Sequence, residues 1–141
     1  MLIVDDQEPD RAMLIRLFNR LSLVNRVESV VDGQEAIRYL NGDGPYADRN
    51  RYGFPAVMFL DLGMPVIDGW GVLDWIKGVS LKGKMRVFIH SQLRNVEEVK
   101  RLYELGADSF LKKPVEESEF RNLMQHFSEP WQISPAVSVP C

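Results

Sequence analysis

The hydrophobic positions of this chain follow two periodicities in turn. Five segments have the length and apolar character of β-strands: residues 2–4, 27–31, 56–60, 86–89 and 109–111. Each is followed by apolar residues at helical spacing, as in the stripe formed by Leu14, Leu17, Phe18 and Leu21. We therefore predict an α/β domain built from five β-α units, in which a doubly wound parallel sheet carries helices on both faces.

Two segments lack such periodicity. Residues 42–55 combine glycines, prolines and alternating charges, which predicts a long surface loop. Residues 128–141 contain three prolines and no apolar stripe, which predicts a flexible C-terminal tail. Residues 1–127 are predicted to form a single domain. The 14 residues after it are too few for a DNA-binding output domain, so we expect a protein that acts through this domain alone.

Composition narrows the class of protein. The 141 residues are 45% hydrophobic and 26% charged, as in ordinary globular domains, and the net charge is −3. A net-acidic chain lacks the electrostatic footprint of a nucleic-acid binder, so we expect no direct nucleic-acid partner. No apolar run approaches the roughly 18 residues that cross a bilayer. The single cysteine, Cys141, cannot form an intramolecular disulfide, which favours a reducing, cytoplasmic location.

Polar side chains follow the predicted strands where each strand ends. They are Asp5 and Asp6 after the first strand, Asp61 after the third, Ser91 after the fourth and Lys113 after the fifth. In a doubly wound sheet these ends share one rim, where ligands bind. Clustered carboxylates repel one another unless a cation joins them, and Mg²⁺ takes carboxylate and phosphate oxygens. A metal, a lysine and a hydroxyl around one carboxylate indicate phosphoryl transfer, with the carboxylate as nucleophile.

These residues resemble the receiver domain of two-component response regulators. The resemblance rests on Asp5-Asp6, on the segment Asp61-Leu62-Gly63-Met64-Pro65-Val66-Ile67-Asp68-Gly69, on Ser91 and on Lys113-Pro114. The spacings of 30 residues from Asp61 to Ser91 and 22 from Ser91 to Lys113 are also similar to that family. The resemblance spans residues 1–127 and implies a CheY-like (βα)5 fold with strand order 2-1-3-4-5.

The resemblance also implies a role for each residue. Asp61 would accept phosphate from a phosphohistidine on a sensor histidine kinase or a histidine phosphotransfer protein. Asp6, Asp61 and the backbone carbonyl of Gly63 would bind Mg²⁺ directly, and Asp5 mostly through water. Lys113 would contact the phosphoryl group, across a cis Lys113-Pro114 bond. Ser91 would move to the phosphoryl oxygen, and Phe110 would be the coupled aromatic switch.

Several positions depart from the usual pattern of the family. Ser91 replaces the commoner threonine but keeps the hydroxyl, whereas Phe110 lacks a tyrosine hydroxyl. Gln92 stands where a small residue is usual, and would screen the phosphoryl group from water or position a water molecule. Met64, before Pro65, shapes the loop after Asp61. The length of the 42–55 loop makes the chain similar to single-domain receivers that partner bacterial phytochrome-type kinases.

Two other functions compete with this one. A haloacid-dehalogenase-type phosphatase needs a second aspartate two residues after the nucleophile, and that position is Gly63. A pure interaction module with an inactive site stays open, although the complete set of acids, serine and lysine argues against it. We expect no enzymatic activity beyond catalysis of the chain's own phosphorylation and dephosphorylation. Output, as self-association to a homodimer or as kinase binding, is assigned to the face formed by residues 95–127, whose charges are equally well explained as the solvated side of amphipathic helices.

Overall fold

The computed structural model describes residues 1–21, 26–79, 84–92 and 95–126. Five parallel strands form one sheet in the order β2-β1-β3-β4-β5, which confirms the predicted fold and strand order. The strands are β1 (Leu2–Val4), β2 (Glu28–Val30), β3 (Val57–Leu60), β4 (Arg86–Ser91) and β5 (Ser109–Lys112). The helices are α1 (Glu8–Arg20), α2 (Gly33–Asn41), α3 (Gly69–Gly78), α4 (Val96–Glu104) and α5 (Glu117–His126). The predicted tail, residues 128–141, lies outside the described residues.

Helices cover the two faces of the sheet, and each face has its own core. On one face, α2, α3 and α4 pack through residues such as Leu40, Leu73 and Leu102. On the other, α1 and α5 pack through residues such as Phe18 and Phe120. All four residues of β3 are buried, as its uninterrupted apolar run predicts for a central parallel strand.

Polar caps fix where the site-bordering helices begin. Asp32, Asp68 and Asn95 each accept a hydrogen bond from the backbone N–H three residues later, at the starts of α2, α3 and α4. Just after the end of α4, Gly106 has a φ of 99°, a left-handed conformation that favours glycine and ends the helix.

The 42–55 segment is more ordered than its composition predicts. Most of its residues are exposed, but it contains a short 3₁₀-helix (Gly44–Tyr46). The rings of Tyr39, Tyr46 and Tyr52 contact one another at centroid distances of 5.1 to 5.9 Å. Arg49 donates to the carbonyl oxygens of Tyr39 and Leu40 at the end of α2, at 2.8 and 2.6 Å. The segment is therefore a packed extension of α2.

Candidate functional site

The chain turns sharply where β3 meets α3, because the helix begins directly against the strand end. A side chain at Gly69 would clash with the carbonyl oxygen of Asp61 and come within 2.7 Å of the Leu62 Cα. The backbone N–H of Asp61 in turn donates to the Val4 carbonyl at 2.9 Å, which ties the end of β3 to the end of β1. This packing places the Asp61 carboxylate beside the acids that follow β1.

Three carboxylates form a cluster at this rim. One oxygen each from Asp5, Asp6 and Asp61 lie within 4.8 Å of one another. Two ligands of one Mg²⁺ lie at most about 4.2 Å apart, twice the ligand distance of roughly 2.1 Å, so small side-chain adjustments bring the cluster into range. The buried Oδ1 of Asp6 accepts no hydrogen bond within the described part of the chain, which leaves its lone pairs free for a cation. The three residues therefore fit a divalent metal site.

Lys113 brings a positive charge to the same place from the end of β5. Its ammonium lies 2.9 Å from Asp5 Oδ2 and 3.5 Å from Asp61 Oδ2. A third carboxylate, that of Asp10 on α1, is 2.8 Å away. The lysine side chain is only 11% exposed, so these pairs are shielded from water. The peptide bond between Lys113 and Pro114 is cis, as the resemblance implies.

Burial and ion pairing shift the pKa values of both Asp5 and Lys113. The Asp5 pKa is raised, because desolvation of its nearly fully buried carboxyl outweighs the hydrogen bond from the Gln7 backbone and the pairing with Lys113. For Lys113, burial pulls the pKa down, but hydrogen bonds to Asp10 and Asp5 outweigh it, and the pKa is raised. Lys113 is therefore a permanent cation at neutral pH.

His90 lies beneath the acid cluster on the α1/α5 face of β4. Its Nδ1 is 3.9 Å from Asp5 Oδ2, and neither ring nitrogen has a hydrogen-bond partner among the described residues. Burial, followed by the charge of Lys113, lowers its pKa to about 4. His90 is therefore neutral in the folded protein at neutral pH.

The depressed His90 pKa predicts a pH-dependent stability. Its unfolded pKa is near 6.5, so the contribution is complete above that pH and is lost as pH falls toward the folded pKa of about 4. Between about pH 7.5 and 5, the free energy of unfolding should fall by about 2 kcal/mol from this group alone. His90→Leu should remove that part of the loss in urea unfolding with chelator present. Equal pH dependence in wild type and His90→Leu would contradict the assignment.

The remaining predicted site residues lie around the same rim. Ser91 is buried at the end of β4, and its carbonyl accepts a hydrogen bond from the Lys113 backbone at 3.1 Å. Met64 is buried, while Gly63 and Gln92 are exposed. Phe110 is half-buried on β5, farther from the acids, with its ring 6.4 Å from that of Tyr103 in an edge contact.

Two contacts near the site were not predicted from the sequence. Asp10 pairs with Lys113 from α1, although an acid in the first turn of a helix ordinarily signals only a favourable helix dipole. The Arg101 guanidinium of α4 lies 4.6 Å from the ring centroid of Trp70, at the start of α3. No local spacing signals either contact, since each joins residues far apart in the chain.

Comparison with known proteins agrees with this architecture. The chain matches the response regulator receiver domain family over residues 1–125. The two-component response regulator ORR3 of Oryza sativa is 30% identical over 123 residues, covering 87% of this chain and 86% of ORR3. The solved bacteriophytochrome response regulator RtBRR has a TM-score of 0.82 at 30% identity, covering 95% of this chain and 80% of its own. For the bacteriophytochrome response regulator AtBRR the TM-score is 0.79 at 34% identity, covering 95% of each chain.

Within residues 1–21, 26–79, 84–92 and 95–126, no helix has the length and apolar character needed to cross a bilayer.

Proposed function

Since the chain belongs to the response regulator receiver domain family, we propose that Asp61 is the residue on which it accepts a phosphoryl group. The observation that carries this proposal is the position of Asp61. Asp61 directly follows the central buried strand, and its side chain is 7% exposed, with Lys113 Nζ 3.5 Å away and two further acids beside it. A carboxylate in such a place is shielded from water yet faces a cation that can stabilise the charge of an incoming phosphoryl group.

In this mechanism an Asp61 oxygen attacks the phosphorus of a phosphohistidine. A P–O bond forms as the P–N bond breaks, and the electron pair of that bond returns to the imidazole nitrogen of the donor. Asp6, Asp61 and the Gly63 carbonyl would hold Mg²⁺, with Asp5 acting mostly through water. The ion would neutralise negative charge on the phosphoryl oxygens. The free lone pairs of Asp6 Oδ1 support this assignment.

Lys113 and Ser91 would then hold the phosphoryl oxygens. The ammonium already lies near Asp61, so it offers a charge-assisted hydrogen bond with little movement. The Ser91 hydroxyl would approach from β4, and Phe110 would change its packing in response. Gln92, exposed beside Ser91, would control access of water, while Met64 and Pro114 would shape the loops on either side.

The chain would catalyse only its own phosphorylation and dephosphorylation. A phosphatase that turns over many substrates needs an acid to protonate the leaving group. The position where a haloacid-dehalogenase-type enzyme carries that acid is Gly63, which has no side chain. One acyl phosphate on each chain is therefore the expected product.

Phosphate stoichiometry and metal dependence test this function. With a small acyl phosphate donor and Mg²⁺, we expect one phosphate per chain, bound as a hydroxylamine-sensitive acyl phosphate. Chelation of the metal should abolish labelling, because the acid cluster would then repel the donor. Hydrolysis of a generic phosphate ester over many turnovers, or labelling that persists with chelator, would contradict the proposal.

The phosphoryl donor would be a sensor histidine kinase or a histidine phosphotransfer protein in the same compartment, which we take to be the cytoplasm. Similarity to the bacteriophytochrome response regulators RtBRR and AtBRR favours a phytochrome-type kinase. We assign the whole described chain to one receiver domain. We expect it to make no direct contact with nucleic acid. A screen of phosphotransfer from candidate kinases would identify the donor.

Output would pass through the face formed by α4, β5 and α5, here called the output face. β5 is an edge strand, and Val96 and Tyr103 are exposed on α4. Arg121 on α5 pairs with Glu117 at 2.8 Å, and Arg101 stacks on Trp70, so both arginines are held in defined places. Such a face suits reversible contact with a second copy of the chain.

Charge reversal tests the output face. The double variant Arg101→Glu/Arg121→Glu should weaken phosphorylation-dependent self-association and reduce its sensitivity to salt, because charges at an interface rim steer association. Arg16→Glu, an exposed change on α1, should leave self-association as in wild type. Analytical ultracentrifugation with and without beryllofluoride, a phosphoryl analogue, measures the effect. Unchanged association of the double variant would exclude this face.

A further inference from the structure

The nearest carboxylate to the Lys113 ammonium is not one of the acids at the strand ends. Asp10 Oδ2, from the first turn of α1, is 2.8 Å from Nζ, compared with 2.9 Å for Asp5 and 3.5 Å for Asp61. A lysine ammonium has three N–H donors, and the one that points to Asp10 makes a hydrogen bond of 2.8 Å. A phosphoryl oxygen that binds Lys113 therefore competes with Asp10 for the ammonium.

Asp10 is not explained by capping of its own helix. An acid at this third helical position often accepts the backbone N–H of the N-cap residue. Here that residue is Gln7, and its N–H is bound at 2.9 Å by Asp5 Oδ1 instead. The Asp10 carboxylate instead reaches across to β5, to a lysine 103 residues later in the chain. The interaction that Asp10 makes in the structure is thus the long-range pair with Lys113.

The three partners of Lys113 differ in how easily they can release it. The Asp5 side chain is 1% exposed, so losing its cation would leave a buried charge unpaired. The Asp10 side chain is 34% exposed, so water can replace Lys113 at much lower cost. Asp61 is itself the proposed site of phosphorylation. Asp10 is therefore the carboxylate that releases Lys113 most easily to another anion.

We propose that Asp10 is a positioning residue that holds Lys113 in the unphosphorylated protein and competes with the phosphoryl group on Asp61 for its ammonium. This inference rests on the proposed roles of Asp61 and Lys113. The competition lowers the gain from binding a phosphoryl group, and so sets how readily the chain enters the activated state. Asp10 does not touch the reacting atoms and acts only through Lys113.

A beryllofluoride titration with saturating Mg²⁺ tests the competition. The readout is the half-saturating concentration, followed by the amide resonances of Ser91 and Lys113. Asp10→Asn keeps the shape of the side chain and removes its charge, and should lower this concentration by about fivefold, because a partly exposed charge pair near the surface contributes about 1 kcal/mol. Asp10→Glu, which keeps the charge, should stay close to wild type.

Two controls separate this role from general electrostatics. Glu8→Gln removes the same charge from an exposed position in the same helical turn and should leave the half-saturating concentration unchanged. In a Lys113→Ala background, where the backbone amide of residue 113 still reports binding, Asp10→Asn should have no further effect. An equal gain in that background would mean direct repulsion by Asp10 and would overturn the proposal.

The remaining outcomes are also distinct. If wild type binds beryllofluoride and Asp10→Asn binds it equally or less well, the inference about Asp10 is wrong while the proposed function stands. If wild type fails to bind at all with Mg²⁺ present, the proposed function is wrong, and the role of Asp10 is wrong with it.

Discussion

Asp61→Asn is expected to abolish phosphate incorporation completely. Asparagine has nearly the same shape, but its amide oxygen is a far weaker nucleophile than a carboxylate and forms no acyl phosphate. Asp5 and Asp6 follow β1 rather than the central strand and should not substitute for it. Labelling with an acyl phosphate donor and Mg²⁺, followed by mass spectrometry of the intact chain, measures the loss.

Stability distinguishes this loss of chemistry from a loss of fold. Asp61→Asn removes one of three clustered acids, so like-charge repulsion falls and the melting temperature in chelator should stay equal or rise. Asp74→Asn, which changes an exposed aspartate on α3, should retain full labelling. Unreduced labelling of Asp61→Asn at another residue would show that a different acid is the phosphoacceptor.

The sequence pattern predicts the parallel sheet well because its central strands have strong local features, whereas the strand order is implied by the resemblance to receiver domains. The apolar run that ends at Leu60 is long enough to place Asp61 at a strand end, and the alternation of strands and helices defines a parallel sheet. The sequence predicts the ends of short strands with few apolar residues less accurately. Val31 continues the alternation of Val27 and Ser29, yet β2 ends at Val30 and Val31 is 49% exposed.

Contacts between distant elements are the part that no local pattern contains. Tyr46 and Tyr52 stand in a segment without periodicity, so their packing on Tyr39 becomes visible only when the segment folds back on α2. Asp10 has the sequence context of an ordinary first-turn acid. Its pairing with Lys113 depends on how α1 packs beside β5, which is set by the whole core of that face.

Lys113→Ala is expected to separate phosphorylation from the structural response to it. Asp61 and the acid cluster remain, so phosphate should still be accepted with Mg²⁺ present. The residue proposed to link a phosphoryl oxygen to β5 is gone, so the change at the output face should be lost entirely. Hydrogen exchange over residues 95–112, before and after addition of beryllofluoride, measures that change. Ser91→Ala should give the same result from the β4 side, because it removes the hydroxyl proposed to approach the phosphoryl group.

The loss of stability caused by Lys113→Ala can be measured together with a control at the neighbouring lysine. The variant leaves Asp5 buried without its cation, and in chelator the free energy of unfolding should fall by about 3 kcal/mol. Mg²⁺ should restore much of this loss, because it neutralises the same carboxylates, whereas it should not restore the response. Lys112→Ala, at the exposed neighbouring position, should match wild type in both stability and exchange. If Lys113→Ala and Ser91→Ala both gave exchange changes like those of wild type, phosphate would have to reach the output face by another route.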